Sequence, residues 1–157
     1  MTVTALPAKL AGEPLSDREA VADICYASFA ALDHGDEQLL RSVVTPDIHT
    51  FIANKTNNSA DELKANVFDH VGTKLDTVHY LTNMRVSVDT PTTARVTFVA
   101  QAVHCRSGKG NEPGPNKYTT GAHYLCSAVK ADGVWRLKDM ESNHVWSEGD
   151  RAVMKGA

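Results

Sequence analysis

SDREAVADICYASFAALDHGD, residues 16–36, is the stretch around which the rest of the chain is organised. Ser16 is a strong N-cap, and Glu19 three residues on completes a capping box. Val21, Ile24, Cys25, Ser28 and Leu32 then recur at helical spacing, so one stripe faces inward. Phe29, Ala22, Ala27, Ala30 and Ala31 widen that stripe and favour helix. Gly35 stops the helix, which leaves Asp33 at its C-terminal end. A carboxylate there meets the negative end of the helix dipole, a penalty of roughly 0.3–1 kcal/mol. Asp33 is therefore locally disfavoured unless something elsewhere in the chain holds or uses it. Spacing alone also fits Asp33 and Asp36 as solvated turn residues, with Asp36 capping the next helix.

The chain of 157 residues suits one domain with one substantial core. Hydrophobic content of 42% with 22% charged residues is that of an ordinary soluble protein. The net charge of −3 and the lack of a long basic run argue against a nucleic-acid partner. No apolar run reaches membrane-spanning length, and residues 1–15 lack a basic-then-apolar leader pattern, so a cytoplasmic protein without a membrane partner is expected. The three cysteines, Cys25, Cys105 and Cys126, are not spaced as zinc ligands, and no pair of histidines has the helical spacing of a metal site. No metal is expected.

Working outward, residues 1–15 read as an arm containing Pro7 and Pro14, either disordered or packed on a partner subunit. Downstream, a short second helix carries Leu39, Leu40, Val43 and Val44 and ends at Thr45-Pro46. Ile48 to Ala53 alternates as a strand, and Asn54 to Asn58 reads as a polar turn. Ser59 with Glu62 forms a second capping box for a helix running to about Val71, with Gly72 as its left-handed cap. From Thr77 the period changes to two. Strands are predicted over Thr77–Asp89, Thr93–Cys105, Tyr118–Lys130 and Val134–Trp146, with Arg106–Lys117 a loop on composition. The second of these is apolar on both faces in its middle. The fourth has no purely apolar face, which predicts a bulge. Helices followed by hairpin-linked long strands mean an α+β fold. Strands this long are expected to curl around the first helix and leave a pocket between sheet and helical layer. The domain is expected over residues 16–150, with 151–157 a tail.

Acid–base work in an apolar pocket needs a donor and an acceptor within hydrogen-bond reach of one substrate atom. Histidine suits that task. His79, His104 and His123 lie inside predicted strands, and His144 lies near the end of the last. Each could equally be a hydrogen-bonded structural residue or a surface residue, and His104 fits that reading best. His34, His49 and His70 sit at element ends and are expected to face water. Serine- and cysteine-nucleophile motifs and dinucleotide fingerprints are absent.

The segments ASFAALDHGDEQLLRSVVTPDI, VHYLTNMRVSVD and YTTGAHYLCSAVKADGVWRLKDMESNHVWSEGD resemble a SnoaL-like domain of the nuclear-transport-factor-2-like superfamily. The resemblance spans about residues 16–150. It implies a cone-shaped α+β barrel, in which a strongly curved mixed or antiparallel sheet wraps three N-terminal helices. Within that superfamily the chain is similar to the bile-acid and scytalone dehydratases, which use no cofactor and set an Asp at the end of the first helix against a strand His. These positions correspond to Asp33 and His79. The tyrosine that the dehydratases carry one helical turn before the Asp is replaced by Ser28, with Tyr26 on another helical face. The resemblance further implies polar site residues at Gln101, Asn143 and His144.

On this reading Asp33 fixes the tautomer of His79, and His79 and His144 take and return protons. Asn143, His144 or Tyr124 meets enolate charge, and His123 is a further strand histidine for the pocket. Phe51, Phe68, Val99, Leu125 and Trp146 form an apolar wall around a hydrophobic substrate. The expected activity is that of a cofactor-independent dehydratase, isomerase or cyclase. The alternative is a non-catalytic ligand-binding or accessory subunit of the same fold. The outer sheet face is expected to build a homodimer or homotrimer.

Overall fold

Helix α1 spans Asp17–His34 and is fixed at both ends by the residues that its sequence marks. The structure is a computed structural model, and residues 3–155 of it are described. The Glu19 carboxylate accepts from Ser16 N at 2.8 Å, and Ser16 Oγ accepts from Glu19 N at 3.3 Å. Gly35 closes the helix in the left-handed region at φ 62°, its N–H turned to the Ala31 and Leu32 carbonyls. Val21, Ile24, Cys25, Ser28, Phe29 and Ala31 form the buried face. Asp36 caps α2, Glu37–Val43, by accepting from Leu39 N at 2.9 Å. In the arm that precedes α1, Ala5 and Ala8 pack against the core.

Strand β1, Val44–Ile52, begins four residues before Ile48. Pro46 is accommodated because the ladder shifts register between Val44 and His49, where no N–H is required. The expected polar turn is instead a tight hairpin to β2, Lys55–Asn57, through Ala53 and Asn54 at φ 51° and 62°. Two left-handed residues are the signature of a hairpin turn usually written with glycine, and alanine concealed it. Helix α3 begins as an α-helix over Ala60–Leu63 and continues as a π-helix over Lys64–Gly72. Ser59 caps it, but Glu62 reaches back to Asn58 N, not to Ser59 N. Gly72 is not a left-handed cap. It is required by close approach: a Cβ there would lie 3.2 Å from the Leu32 carbonyl oxygen and 3.3 Å from the Phe68 ring.

Strands β3, Leu75–Thr90, β4, Thr93–Arg106, β5, Lys117–Ala131, and β6, Val134–Gly149, complete a six-stranded sheet ordered β2-β1-β6-β5-β4-β3. All pairings are antiparallel except β1 with β6, so the sheet is mixed. It is open, with β2 and β3 at its edges, and not a closed barrel. The α+β class holds, and the helical layer packs on one face of the sheet, α1 chiefly against β3.

β4 alternates strictly. Ala94, Val96, Phe98, Ala100, Ala102 and His104 face the helices, so the strand is not buried on both sides. Other strands of the sheet change face at bulges. One lies at Asn83, φ 54°, where β3 shifts register between Thr82 and Arg85. Two more lie on β6, at Lys138 and Val145. The Asn83 bulge puts Thr77, His79 and Leu81 on the same inner face as Met84, Val86 and Val88, although period two alone separates them. Arg151–Lys155 forms a 3₁₀ turn that packs on β4 and β5 with Val153 fully buried. His70 is held there, bonded through Nε2 to the Met154 carbonyl, and does not simply face water.

The two glycines at the ends of α1 and α3 make a specific prediction. A Cβ at Gly35 would lie 2.9 Å from the Gly72 carbonyl oxygen, in a left-handed backbone. Gly35→Ala is expected to cost about 2 kcal/mol in urea unfolding. Gly108→Ala, also left-handed at φ 71° but with nothing within 4 Å, is expected to cost about half as much.

Candidate active site

β3 is an edge strand, so one side of its backbone has no ladder partner. The C-terminal end of α1 lies along that strand, and Asp33 supplies the missing acceptors. Its Oδ2 accepts from the backbone N–H of His79 at 2.9 Å. Its Oδ1 accepts from Thr77 Oγ1 at 2.7 Å and from His79 Nδ1–H at 2.6 Å. The Asp33 and His79 side chains are 18% and 6% exposed. Burial alone would raise the Asp33 carboxyl. The hydrogen bond and charge of His79, with the Thr77 hydroxyl and the backbone N–H, outweigh burial and hold Asp33 below the usual carboxylate range. The contacts from β3 thus keep ionised a carboxylate that the helix dipole disfavours. With Nδ1–H given to Asp33, the uncharged form of the His79 ring would present Nε2 as a free lone pair.

Two rings flank His79. Phe29 lies 5.1 Å away, centroid to centroid and tilted, and His104 lies 5.7 Å away, edge-on. His104 Nδ1–H donates to the Tyr118 carbonyl at 3.1 Å, which leaves its Nε2 as an acceptor. Burial, reinforced by neighbouring His79, pushes the His104 pKa down to about 4, so this ring is neutral near pH 7. His144 is on the same inner face, paired with Ala122; its side chain is exposed, and partial desolvation lowers its pKa. In the rows of His79 and His144, β4 and β5 place Ala100, Ala102, Thr120 and Ala122 on that face. Tyr124 also points inward. It stacks on Phe98 at 5.1 Å and meets Phe29 edge-on at 5.5 Å. Burial raises its phenol, which stays protonated as a donor.

The structure therefore gathers Asp33, His79, Tyr124 and His144 on one side of the sheet, and adds Thr77 and His104. Strict alternation from Ala94 onward was the sequence signal that points His104 inward. Ser28 is buried, but its hydroxyl donates to the Cys25 carbonyl of its own helix at 2.8 Å. Phe68 is a core residue against Gly72.

Six expected site residues lie elsewhere. Tyr26 is on the outer side of α1, 47% exposed. Gln101, His123 and Asn143 each stand between two inward neighbours and so point out through the opposite face. Trp146 changes face because the Val145 bulge pairs it with Gly121, across which its indole lies. Phe51 is exposed on the outer face. With Val99, His123, Leu125 and Asn143 it surrounds an outer groove of about 650 Å³, so the expected apolar wall is not the lining of the inner site.

The buried His104 implies a pH dependence. Its folded pKa, about 4, lies below the ordinary 6.5, so the unfolded chain takes up this proton first and stability falls as pH drops from about 6.5 to about 4. The loss from this residue is expected to approach about 3 kcal/mol. His104→Gln is expected to flatten that segment of a stability–pH curve. It should leave the steeper loss at lower pH, where the lowered carboxyl of Asp33 takes up its proton.

The chain matches the SnoaL-like domain family over residues 13–141. It is 35% identical over 155 residues to terrestric acid biosynthesis cluster protein E of Penicillium crustosum, covering 98% of each chain. Among solved structures, it superposes on a Novosphingobium aromaticivorans protein provisionally assigned as a scytalone dehydratase. The TM-score is 0.73 at 20% identity, over 85% of this chain and 87% of that one. A nuclear transport factor 2-like superfamily protein of Salmonella enterica gives a TM-score of 0.71 at 12% identity, over 82% and 91% of the two chains. The fold is that of the nuclear transport factor 2-like proteins, and the chain belongs to the SnoaL-like domain family.

Proposed function

We propose that this protein is a lyase or isomerase that moves protons on a hydrophobic small molecule of secondary metabolism without a cofactor. The observation that carries this reading is the 2.6 Å contact between Asp33 Oδ1 and His79 Nδ1 at a mostly buried position. The relative in a biosynthetic cluster and the dehydratase-like fold support the substrate class and the reaction class respectively.

In this mechanism His79 Nε2 takes a proton from the carbon next to a substrate carbonyl. The C–H pair becomes an enolate, and Asp33 balances the charge on the imidazolium. Tyr124 or His144 donates to the enolate oxygen. In a dehydration the enolate re-forms the carbonyl as the β-hydroxyl leaves with the proton of the imidazolium, so that one water is lost. In a double-bond migration the same proton returns to a different carbon. The neutral His104 accepts a substrate hydroxyl through Nε2. Homo-oligomerisation belongs to the same proposal. The outer sheet face, with Val78, Tyr80, Leu125 and Val145 each about half exposed, is the surface that a second copy would cover.

Turnover of a fused-ring β-hydroxy ketone, followed by the absorbance of the conjugated enone, tests the reaction. His79→Ala and Asp33→Asn are each expected to lower it about 10³-fold in protein that circular dichroism shows to be folded. Wild-type turnover in both variants would overturn the mechanism. Tight binding of the ketone without turnover by the wild-type protein would favour the non-catalytic alternative.

A further inference from the structure

We propose that Thr77 is a positioning residue, whose hydroxyl pins the Asp33 carboxylate so that the His79 imidazole keeps one heading. The proposal rests on the acid–base reading of the site and adds a residue to it. The carboxylate of an aspartate turns about a soft torsion, broad and nearly two-fold, so two oxygens alone do not define a direction for a partner ring. Asp33 is bound from three directions by one strand: a hydroxyl from residue 77, and a backbone N–H and a ring N–H from residue 79. The backbone bond falls on Oδ2, whereas the hydroxyl and the ring share Oδ1. Removal of the hydroxyl would leave Oδ1 tied only to the ring that it is meant to orient.

Threonine is well suited to this role. It is β-branched, so its rotamer is restricted, and at 8% exposure it is packed in place. If Thr77 were only a strand residue filling space, valine would serve equally well, since its shape is nearly the same and its β-propensity is high. The ladder pairs Thr77 with His104, so the row that holds the carboxylate also carries the second imidazole of the site.

The test compares Thr77→Val and Thr77→Ser in the full chain. The first readout needs no substrate: the Nδ1–H proton resonance of His79 in ¹⁵N-histidine-labelled protein. It is expected to be sharp in the wild type and Thr77→Ser, and broadened by exchange in Thr77→Val. The second is turnover of the β-hydroxy ketone. Thr77→Val is expected to lower kcat about tenfold with KM changed less than twofold, and Thr77→Ser to restore kcat to within threefold of the wild type. A Thr77→Val protein with an unchanged resonance and only a lower melting temperature would overturn the proposal. If the wild-type protein does not turn the ketone over, the acid–base reading fails, and the resonance alone still decides whether Thr77 orients the ring.

Discussion

One carboxylate joins the two layers of this fold at the place where both are incomplete. The C-terminus of a helix disfavours a negative charge, and an edge strand leaves backbone donors without partners. Asp33 sets one deficit against the other. The edge strand β3 gives it a hydroxyl, a backbone N–H and an imidazole N–H, and the helix end gains a fixed anchor. The other end of α1 is held differently. Asp17 lies in the first turn, where the dipole favours it, and accepts from Lys130 and Trp135 on β5 and β6. α1 is thus tied by one carboxylate at each end, to strands on different parts of the sheet. The tie at the unfavourable end, unlike the other, includes an imidazole, the side-chain type suited to moving protons near neutral pH.

The sheet then decides which side chains meet that pair. Bulges at Asn83 on β3 and at Lys138 and Val145 on β6 change the facing of those strands, and those at Asn83 and Val145 lie beside the candidate site. The result is two chemically distinct surfaces. The inner one presents imidazoles and a phenol beside alanines. The outer one presents Val78, Tyr80, Leu125, His123 and Asn143. A single residue of slip in either strand would exchange the two sets, which makes the bulges part of the site's specification as much as the residues themselves.

The helical half of the fold was legible because its signals are local. Ser16 and Glu19, Asp36, and Ser59 all cap the helices that their spacing announces. The Asp33–His79 contact was reachable through family resemblance, since no local pattern connects residues 46 positions apart. What remained hidden has a common cause. Left-handed residues at Ala53, Asn54 and Asn83 create a hairpin and a bulge without the glycine that usually marks them. The Asn83 bulge separates Val78 and Tyr80 from the core face, and the Val145 bulge sends Trp146 outward. Gln101, His123 and Asn143 point outward for a simpler reason: parity along the strand decides facing, and neither family resemblance nor residue type carries it. Parity is also what places His104 beside His79.

The central claim is that Asp33 and His79 act as one coupled unit that ties helix to sheet edge. A double-mutant cycle on folding stability, with Asp33→Ala, His79→Ala and the pair measured by urea unfolding at pH 7, tests it most directly. A coupling energy of about 1–3 kcal/mol between the two side chains is the expected result. Strictly additive losses, with coupling near zero, would contradict it.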